Sequence, residues 1–522
     1  MPNARPLACA VLLAAACSSS TVRTPSAGPV AYGAPELLWA RGGCFESWCQ
    51  TGWYASPALA DLDGDGVPEV VWGASDVVAL RASDGALLWR APGSGRVWAP
   101  IAVADLDGDG KPEIVVGRNG DLLTVYGPDG QVRWSRNPFG AGELRSVAVA
   151  DLDGDGKLEI VVGRASGGDT EQVAAYSAAG VLLPGFPARR AGEPGNGWGM
   201  YNQNLAIADL DGDGTREIVA PTDTHYVTAL DRLGNQLGVN ARYAPRAVWA
   251  EVGVHVDDAV DLRGYALCGT EHRPNFAMSA PAIGDLDGEG TKEIVVVGDV
   301  YDCGSDPYRS LYHMPFVLNR DRSRWKTAAY DWTVIPSPRA DAGPRSQDDA
   351  VIFPALPNAV LADLDGDGKK EILFASWDGK VHAFGPDRKE HGAWPFTVPG
   401  PGAIRFASEP AVVDLDGDGQ AEVIFASWPD VASGATGKLY VLDALGRLAY
   451  AVDLPPSFPA GDWNGGLGAP TVARLAPGGD VYVFLGTAQS GVVAFRIPHS
   501  AGARLLWPTG RGNLRRDGTP PA

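Results

Sequence analysis

Aspartate, glycine and glutamate recur in this chain at one fixed spacing, and the spacing suits a cation. The stretch DLDGDGKPE from Asp105 to Glu113 has carboxylates at positions one, three, five and nine, glycines at four and six, and the apolar run Ile114, Val115, Val116 directly after it. Seven copies begin at Asp61, Asp105, Asp151, Asp209, Asp285, Asp363 and Asp414. A hard divalent cation of calcium's size takes six to eight oxygens at about 2.3–2.6 Å, so a loop must turn several carboxylates and a backbone carbonyl onto one point. Each copy offers four acidic side chains and, at position seven, the carbonyl. The expected sets are Asp61, Asp63, Asp65, Val67 and Glu69; Asp105, Asp107, Asp109, Lys111 and Glu113; Asp151, Asp153, Asp155, Lys157 and Glu159; and Asp209, Asp211, Asp213, Thr215 and Glu217. The remaining three are Asp285, Asp287, Glu289, Thr291 and Glu293; Asp363, Asp365, Asp367, Lys369 and Glu371; and Asp414, Asp416, Asp418, Gln420 and Glu422. In the fifth copy Glu289 stands where the others have Asp, which predicts an altered geometry there.

A single such stretch would read as well as a solvated turn, because Asp and Gly favour turns for their own reasons. Seven copies, each with an acid at position nine, decide for about seven calcium sites. An EF-hand is excluded, since its acidic ligand falls at position twelve, where this chain has Val116 and Trp72. The loops also account for the charge. They hold 28 of the 63 acidic residues, so the net charge of −20 is mostly metal ligand, and the remainder of the chain, with 35 acids against 43 Lys and Arg, is mildly basic. Nothing in that balance forms the basic groove a nucleic acid needs.

The loops must be held by strands. In the first copy Pro57 to Leu62 enters the loop, Glu69 to Gly73 leaves it, Val77 to Arg81 follows, and Ala86 to Arg90 comes after the turn Ser83, Asp84, Gly85. Short β-rich runs joined by Asp-Gly turns are antiparallel hairpins. Four strands repeated every 44 to 78 residues predict an all-β propeller with the loops between first and second strands. An eighth unit, Ala469 to Leu475, Val481 to Gly486, Gly491 to Arg496 and Arg504 to Trp507, keeps the strands and has Ala476, Pro477, Gly478 and Gly479 in place of the acids. Eight blades are expected, with seven as the alternative. Glu36 to Ala40 competes with Arg504 to Trp507 for the fourth strand of the last blade.

The repeats resemble the FG-GAP or VCBS repeats of integrin-α-type propellers from about residue 50 to 515, through phrases such as SPALADLDGDGVPEVVWG from Ser56 and the closing WPTGRGNLRRDG from Trp507. The resemblance implies calcium at the seven acidic loops. The stretch VVALRASDGALLW from Val77 also resembles a quinoprotein-type repeat.

Residues 1–17 read as an export signal: Arg5, then an apolar run from Leu7 to Ala16 too short to span a bilayer. Its end resembles a bacterial lipoprotein signal, which implies lipidation of Cys17, although Leu13 lies four residues before the cysteine where that family has leucine three before. Plain secretion is the alternative. Residues 18–34, rich in Ser, Thr, Pro, Gly and Ala, suit a tether; 35–515 is the propeller and 516–522 a tail. In an exported chain Cys44, Cys49, Cys268 and Cys303 suggest disulfides, the favoured pairing being Cys44 with Cys49 and Cys268 with Cys303.

Antiparallel strands put every acidic loop on one face of a propeller. The insertions 239–278, 299–312 and 335–356 then project from the other face, where recognition is expected. Trp198, Tyr201 and Trp463 are the aromatic candidates for that ligand face, against a reading as packing between blades. No HExxH or GxSxG pattern occurs. The function expected is a monomeric, lipid-anchored envelope module that binds a glycan or an extracellular protein. An eight-bladed polysaccharide lyase and a quinoprotein are the enzymatic alternatives.

Overall fold

The computed structural model describes residues 31–41, 54–165, 171–188, 200–203, 205–223, 226–242, 252–253, 256–259, 267–302, 304, 311–348, 355–456 and 463–521. Trp198, Cys44, Cys49 and Cys303 lie outside the described residues. Eight antiparallel sheets stand around a central channel, which removes the seven-bladed alternative. Blade one is Ala58–Ala60, Glu69–Gly73, Val77–Arg81 and Leu87–Ala91 in spatial order, and blade two repeats it with Ala102–Ala104, Glu113–Arg118, Leu122–Tyr126 and Val132–Arg136. In blade three the fourth strand is reduced to the bridges Val173↔Ala188 and Tyr176↔Leu182.

Inner strands such as Ala206–Ala208 and Ala282–Gly284 are short and flank one isoleucine with alanine or glycine, as befits a hub where eight strands converge. Second strands are continuous apolar runs, all five residues of Glu69–Gly73 being buried, because both faces are covered by neighbouring blades. The core accordingly lies between blades: Leu59, Val70 and Trp72 of blade one pack with Phe484, Val492 and Ala494 of blade eight.

At five junctions a tryptophan at the outer edge of one blade holds the next blade by the same device. The indoles of Trp39, Trp89, Trp134, Trp332 and Trp394 donate to the carbonyls of Ala82, Pro128, Ala178, Pro386 and Ala444, each in the turn between the third and fourth strands of the following blade, at 2.8–3.0 Å. At four of the five the turn glycine, Gly85, Gly130, Gly180 or Gly446, fits beneath the ring, and Arg388 takes that place opposite Trp332. A Cβ on Gly130 would come within 2.6 Å of Trp89, and its φ of 76° already favours glycine.

Ring closure corrects one expectation. Glu36–Arg41, not Arg504–Trp507, is the fourth strand of blade eight, pairing antiparallel with Gly491–Ile497. Trp39 there has the outer-strand role of Trp89. Arg504–Trp507 pairs instead with the inner strand of blade seven, Val413 opposite Leu505. The reason is burial: Trp507 is fully enclosed, whereas outer strands such as Val132–Arg136 are largely exposed.

Candidate metal loops around a plugged channel

Each acidic loop is the hairpin between an inner and a second strand, with the residue before position one paired to the glutamate at position nine, as in Ala60↔Glu69 and Ala362↔Glu371. In all seven, the aspartate at position one accepts from the glycine N–H at position four at 2.6–2.8 Å and from that at position six at 2.8–3.1 Å. Those glycines need positive φ, 81° and 86° in Gly64 and Gly66. The glutamate at position nine is 2–9% exposed throughout, and one of its oxygens accepts the N–H of the leucine at position two at 2.7–2.9 Å.

The oxygens converge. One carboxylate oxygen from each of Asp61, Asp63 and Glu69 lies within 4.8 Å of the others, and Asp105, Asp107 and Glu113, Asp151, Asp153 and Glu159, Asp209, Asp211 and Glu217, and Asp363, Asp365 and Asp367 behave alike. Two oxygens on opposite sides of one calcium ion at about 2.4 Å would stand about 4.8 Å apart, so the donor set fits that cation in type and spread. Burial, reinforced by the loop aspartates, pushes the carboxyl of Glu293 up to about 7 and those of Glu371 and Glu422 up to about 8. That is the cost of gathering acids without a counter-charge. In the fifth loop Glu289 takes the Thr291 hydroxyl at 2.8 Å, where the fourth loop has Thr215 N–H and hydroxyl on Asp213.

The chain supplies some counter-charge itself, in a way its sequence does not announce. Arg133 pairs with Asp107 and Glu113 at 3.2 and 2.8 Å, Arg320 with Asp211 and Glu217 at 2.8 and 3.2 Å, and Arg504 with Asp414 at 2.6 Å. Adjacent loops are tied together too: Lys292 donates to Asp209 carbonyl and Lys370 to Asp285 carbonyl, both at 2.8 Å.

The channel is filled by the C-terminal segment. Pro508, Leu514, Arg515, Asp517 and Gly518 present carbonyls to the N–H groups of Val472, Val103, Val149, Ile207 and Ile283, inner-strand residues of blades eight, two, three, four and five, at 2.7–2.9 Å. Arg516 is 1% exposed and donates to the carbonyls of Ile101, Pro57 and Gly510 and to the Thr509 hydroxyl at 2.6–2.9 Å. Residues 516–521, expected as a tail, therefore begin inside the ring. Arg511 donates to Leu205 and Pro281 carbonyls, and its own N–H meets Glu409.

The other end of the hub is closed by aromatic packing. Tyr54, Trp98, Met278, Leu356 and Leu467 form one cluster with Tyr201 against it. Arg145 lies 4.0 Å from the Trp98 ring and 5.7 Å from that of Tyr201. Trp463 stands edge-on to Trp428 at 4.8 Å and donates to Pro429 carbonyl at 3.1 Å. Both Tyr201 and Trp463 are half-buried in packing.

Among the described histidines, His313 pairs with Asp299 and lies 3.1 Å from Ser376 hydroxyl. All three are 2% exposed, so this chain of groups clamps blade five to blade six. The insertion before blade five adds a strand to that face, His272–Asn275, paired with the extended second strand through His272↔Asp302.

The family described as FG-GAP-like repeat matches residues 105–162 and 363–425, in each case one acidic loop through to the second strand of the following blade. The chain carries FG-GAP-like repeats on an eight-bladed β-propeller. No curated protein sequence matches it significantly. Among solved structures the propeller resembles the V. cholerae biofilm matrix protein Bap1, with 14% identity and a TM-score of 0.50 over 94% of this chain and 96% of that one. The computationally designed Ika8 protein aligns at 12% identity and TM-score 0.49, over 88% of this chain and 99% of that one. The exotype rhamnogalacturonan lyase YesX aligns at 19% and 0.48, over 90% and 76%. At these identities the likeness is one of fold.

Proposed function

We propose that this propeller is a calcium-stiffened binding module of the bacterial cell envelope, exported, anchored through Cys17, and contacting a glycan or an extracellular protein with the insertions on the face opposite the acidic loops. The observation that carries the reading is the repeated oxygen cage built on a glutamate buried in every one of seven blades. It spends the densest chemistry in the chain on holding the scaffold and leaves the opposite face to vary. The biofilm matrix setting of a protein with this fold is in keeping with it. Loop one is the tightest calcium site, loops three and six, where the flexible Lys157 and Lys369 pair with one aspartate each, are intermediate, and loops two, four and seven, where Arg133, Arg320 and Arg504 sit against the acids, are weakest. Cys268 and Cys303 form a disulfide that braces the insertion face, since Asp302 accepts from both Gly269 and Gly304 N–H at 2.6 and 2.8 Å and so draws the two segments together.

Calcium titration of the chelated protein tests the first half. A spread of affinities is expected, with a large rise in melting temperature on loading; at calcium tenfold above its dissociation constant each site adds about 1.4 kcal/mol. A melting curve indifferent to EDTA would sink the calcium reading. A screen of the calcium-loaded protein against glycans and envelope proteins tests the second half. Binding that survives shortening of 335–356 together with Trp463→Ala would place the ligand elsewhere.

A further inference from the structure

We propose that the rim carrying the acidic loops is a lipid-docking surface, seated on the membrane to which the N-terminal segment leads; this rests on the envelope reading above. Outer strands begin on the loop side. At that end five neighbouring blades turn large apolar side chains to solvent: Leu37 and Leu38 of blade eight are 45% and 42% exposed, Leu87 and Leu88 of blade one 47% and 43%, Val132 of blade two 56%, Val181 and Leu182 of blade three 62% and 40%, and Leu233 of blade four 41%. The corresponding turn of blade six carries Asp387, Arg388 and Lys389 instead. Exposed apolar groups gathered on one sector mark an interaction surface. Between the first two loops a cleft of about 1100 Å³ joins them, with Leu88, Val132 and Leu514 in its walls beside Asp61 and Asp105.

The approach of the chain selects a bilayer as the occupant. Glu36 stands opposite Arg496 at the loop end of blade eight. Just before it, Tyr32 is buried 5.9 Å from Tyr450, and Gly33 N–H donates to Pro498 carbonyl at 2.7 Å. The preceding residues thus reach the propeller at the edge of the apolar sector. Residues 18–30 span at most about 45 Å fully extended, so an acyl group on Cys17 would hold this rim, where the chain enters the propeller, within that reach of the bilayer. The exposed leucines and valines would enter the headgroup layer as an interfacial apolar face does. Unloaded loop acids would repel anionic headgroups and calcium would offset them, which makes the docking calcium-dependent.

Flotation with vesicles of phosphatidylethanolamine and phosphatidylglycerol tests this, using the full chain with Cys17→Ser so that no acyl group contributes. The parent should float with calcium and stay behind in EDTA. Leu87→Ser, Leu88→Ser and Val132→Ser combined should cut the bound fraction at least about tenfold, since each withdraws an apolar side chain from the interface. Leu267→Ser and Val431→Ser, exposed on the insertion side, should float as the parent does. Melting curves in calcium verify that every variant is folded. A parent that never floats, an equal loss in both sets of variants, or self-association abolished by the rim substitutions without flotation would overturn the proposal. Ligand binding at the insertion face, followed in the same rim variants, should persist; its failure alone would count against the binding-module reading and leave lipid docking standing.

Discussion

His382 is the residue through which the fold should respond to pH. Its ring is 2% exposed, stacked 5.0 Å from Phe374, with Nδ1 2.6 Å from Glu390 and Nε2 3.2 Å from Asp378. Burial alone would lower its pKa, but Asp378 and Glu390, by charge and hydrogen bond, outweigh burial and push it up to about 9. Burial acts the other way on Asp378, and there His382 and Lys380 win, holding that carboxyl well below the usual range. A histidine raised from about 6.5 binds its proton more tightly folded than unfolded. Its stabilisation is therefore complete below about pH 6.5 and is lost as pH rises through about 9. In calcium, melting temperature should fall from pH 7 to 9.5, corresponding to on the order of 1–3 kcal/mol. His382→Gln should melt lower at pH 6.5 and show a flatter profile across that range. A parallel slope in the variant would assign the pH response to other groups. None of this is legible in sequence, where His382 is one scattered histidine, because the carboxylates that face it come from a turn and from the end of a hairpin.

At the scale of elements, the acidic loops and the strands they join are legible because ligand chemistry and glycine geometry act within nine residues, with little help from tertiary context. Ring closure is not. Glu36–Arg41 and Arg504–Trp507 are both short apolar runs, and which one completes blade eight depends on Trp39 finding the turn at Ala82. That docking device also escapes a reading of single strands, since tryptophan and turn glycine belong to successive blades. It makes a sharp prediction. Gly130 combines φ of 76° with a ring face 2.6 Å from where a Cβ would sit. Gly130→Ala should lower stability by about 1–3 kcal/mol, through backbone strain and displacement of Trp89. Gly120→Ala, at φ 84° with nothing near its Cβ, isolates the strain alone and should cost less. Equal melting temperatures for the two would mean the docking contributes nothing measurable.

For the whole molecule, the C-terminal segment makes the ring depend on its last residues. A propeller closed only by pairing of its two ends leaves its inner strands with unpaired N–H groups along the channel, and here residues 508–518 meet five of them. Arg516 anchors that segment: burial drives its guanidinium down to about 9 despite Glu409, and its bonds all go to backbone carbonyls and one hydroxyl. Removing the side chain would leave the carbonyl of Ile101 without this donor and that of Pro57 with the Thr471 hydroxyl alone, and each unsatisfied buried group costs about 1–3 kcal/mol. Arg516→Ala in the full, calcium-loaded chain should therefore lose about 2–5 kcal/mol in denaturant unfolding, while the neighbouring exposed Arg515→Ala should stay within about 0.5 kcal/mol of the parent. Arg516→Lys, with one ammonium in place of a fork, should fall between them. The effect should also spread around the ring, because the segment touches five inner strands at once: hydrogen exchange at Val103, Val149, Ile207 and Ile283 should accelerate together in Arg516→Ala. Acceleration confined to Val103, beside the substitution, would reduce the segment from a shared hub to a local contact.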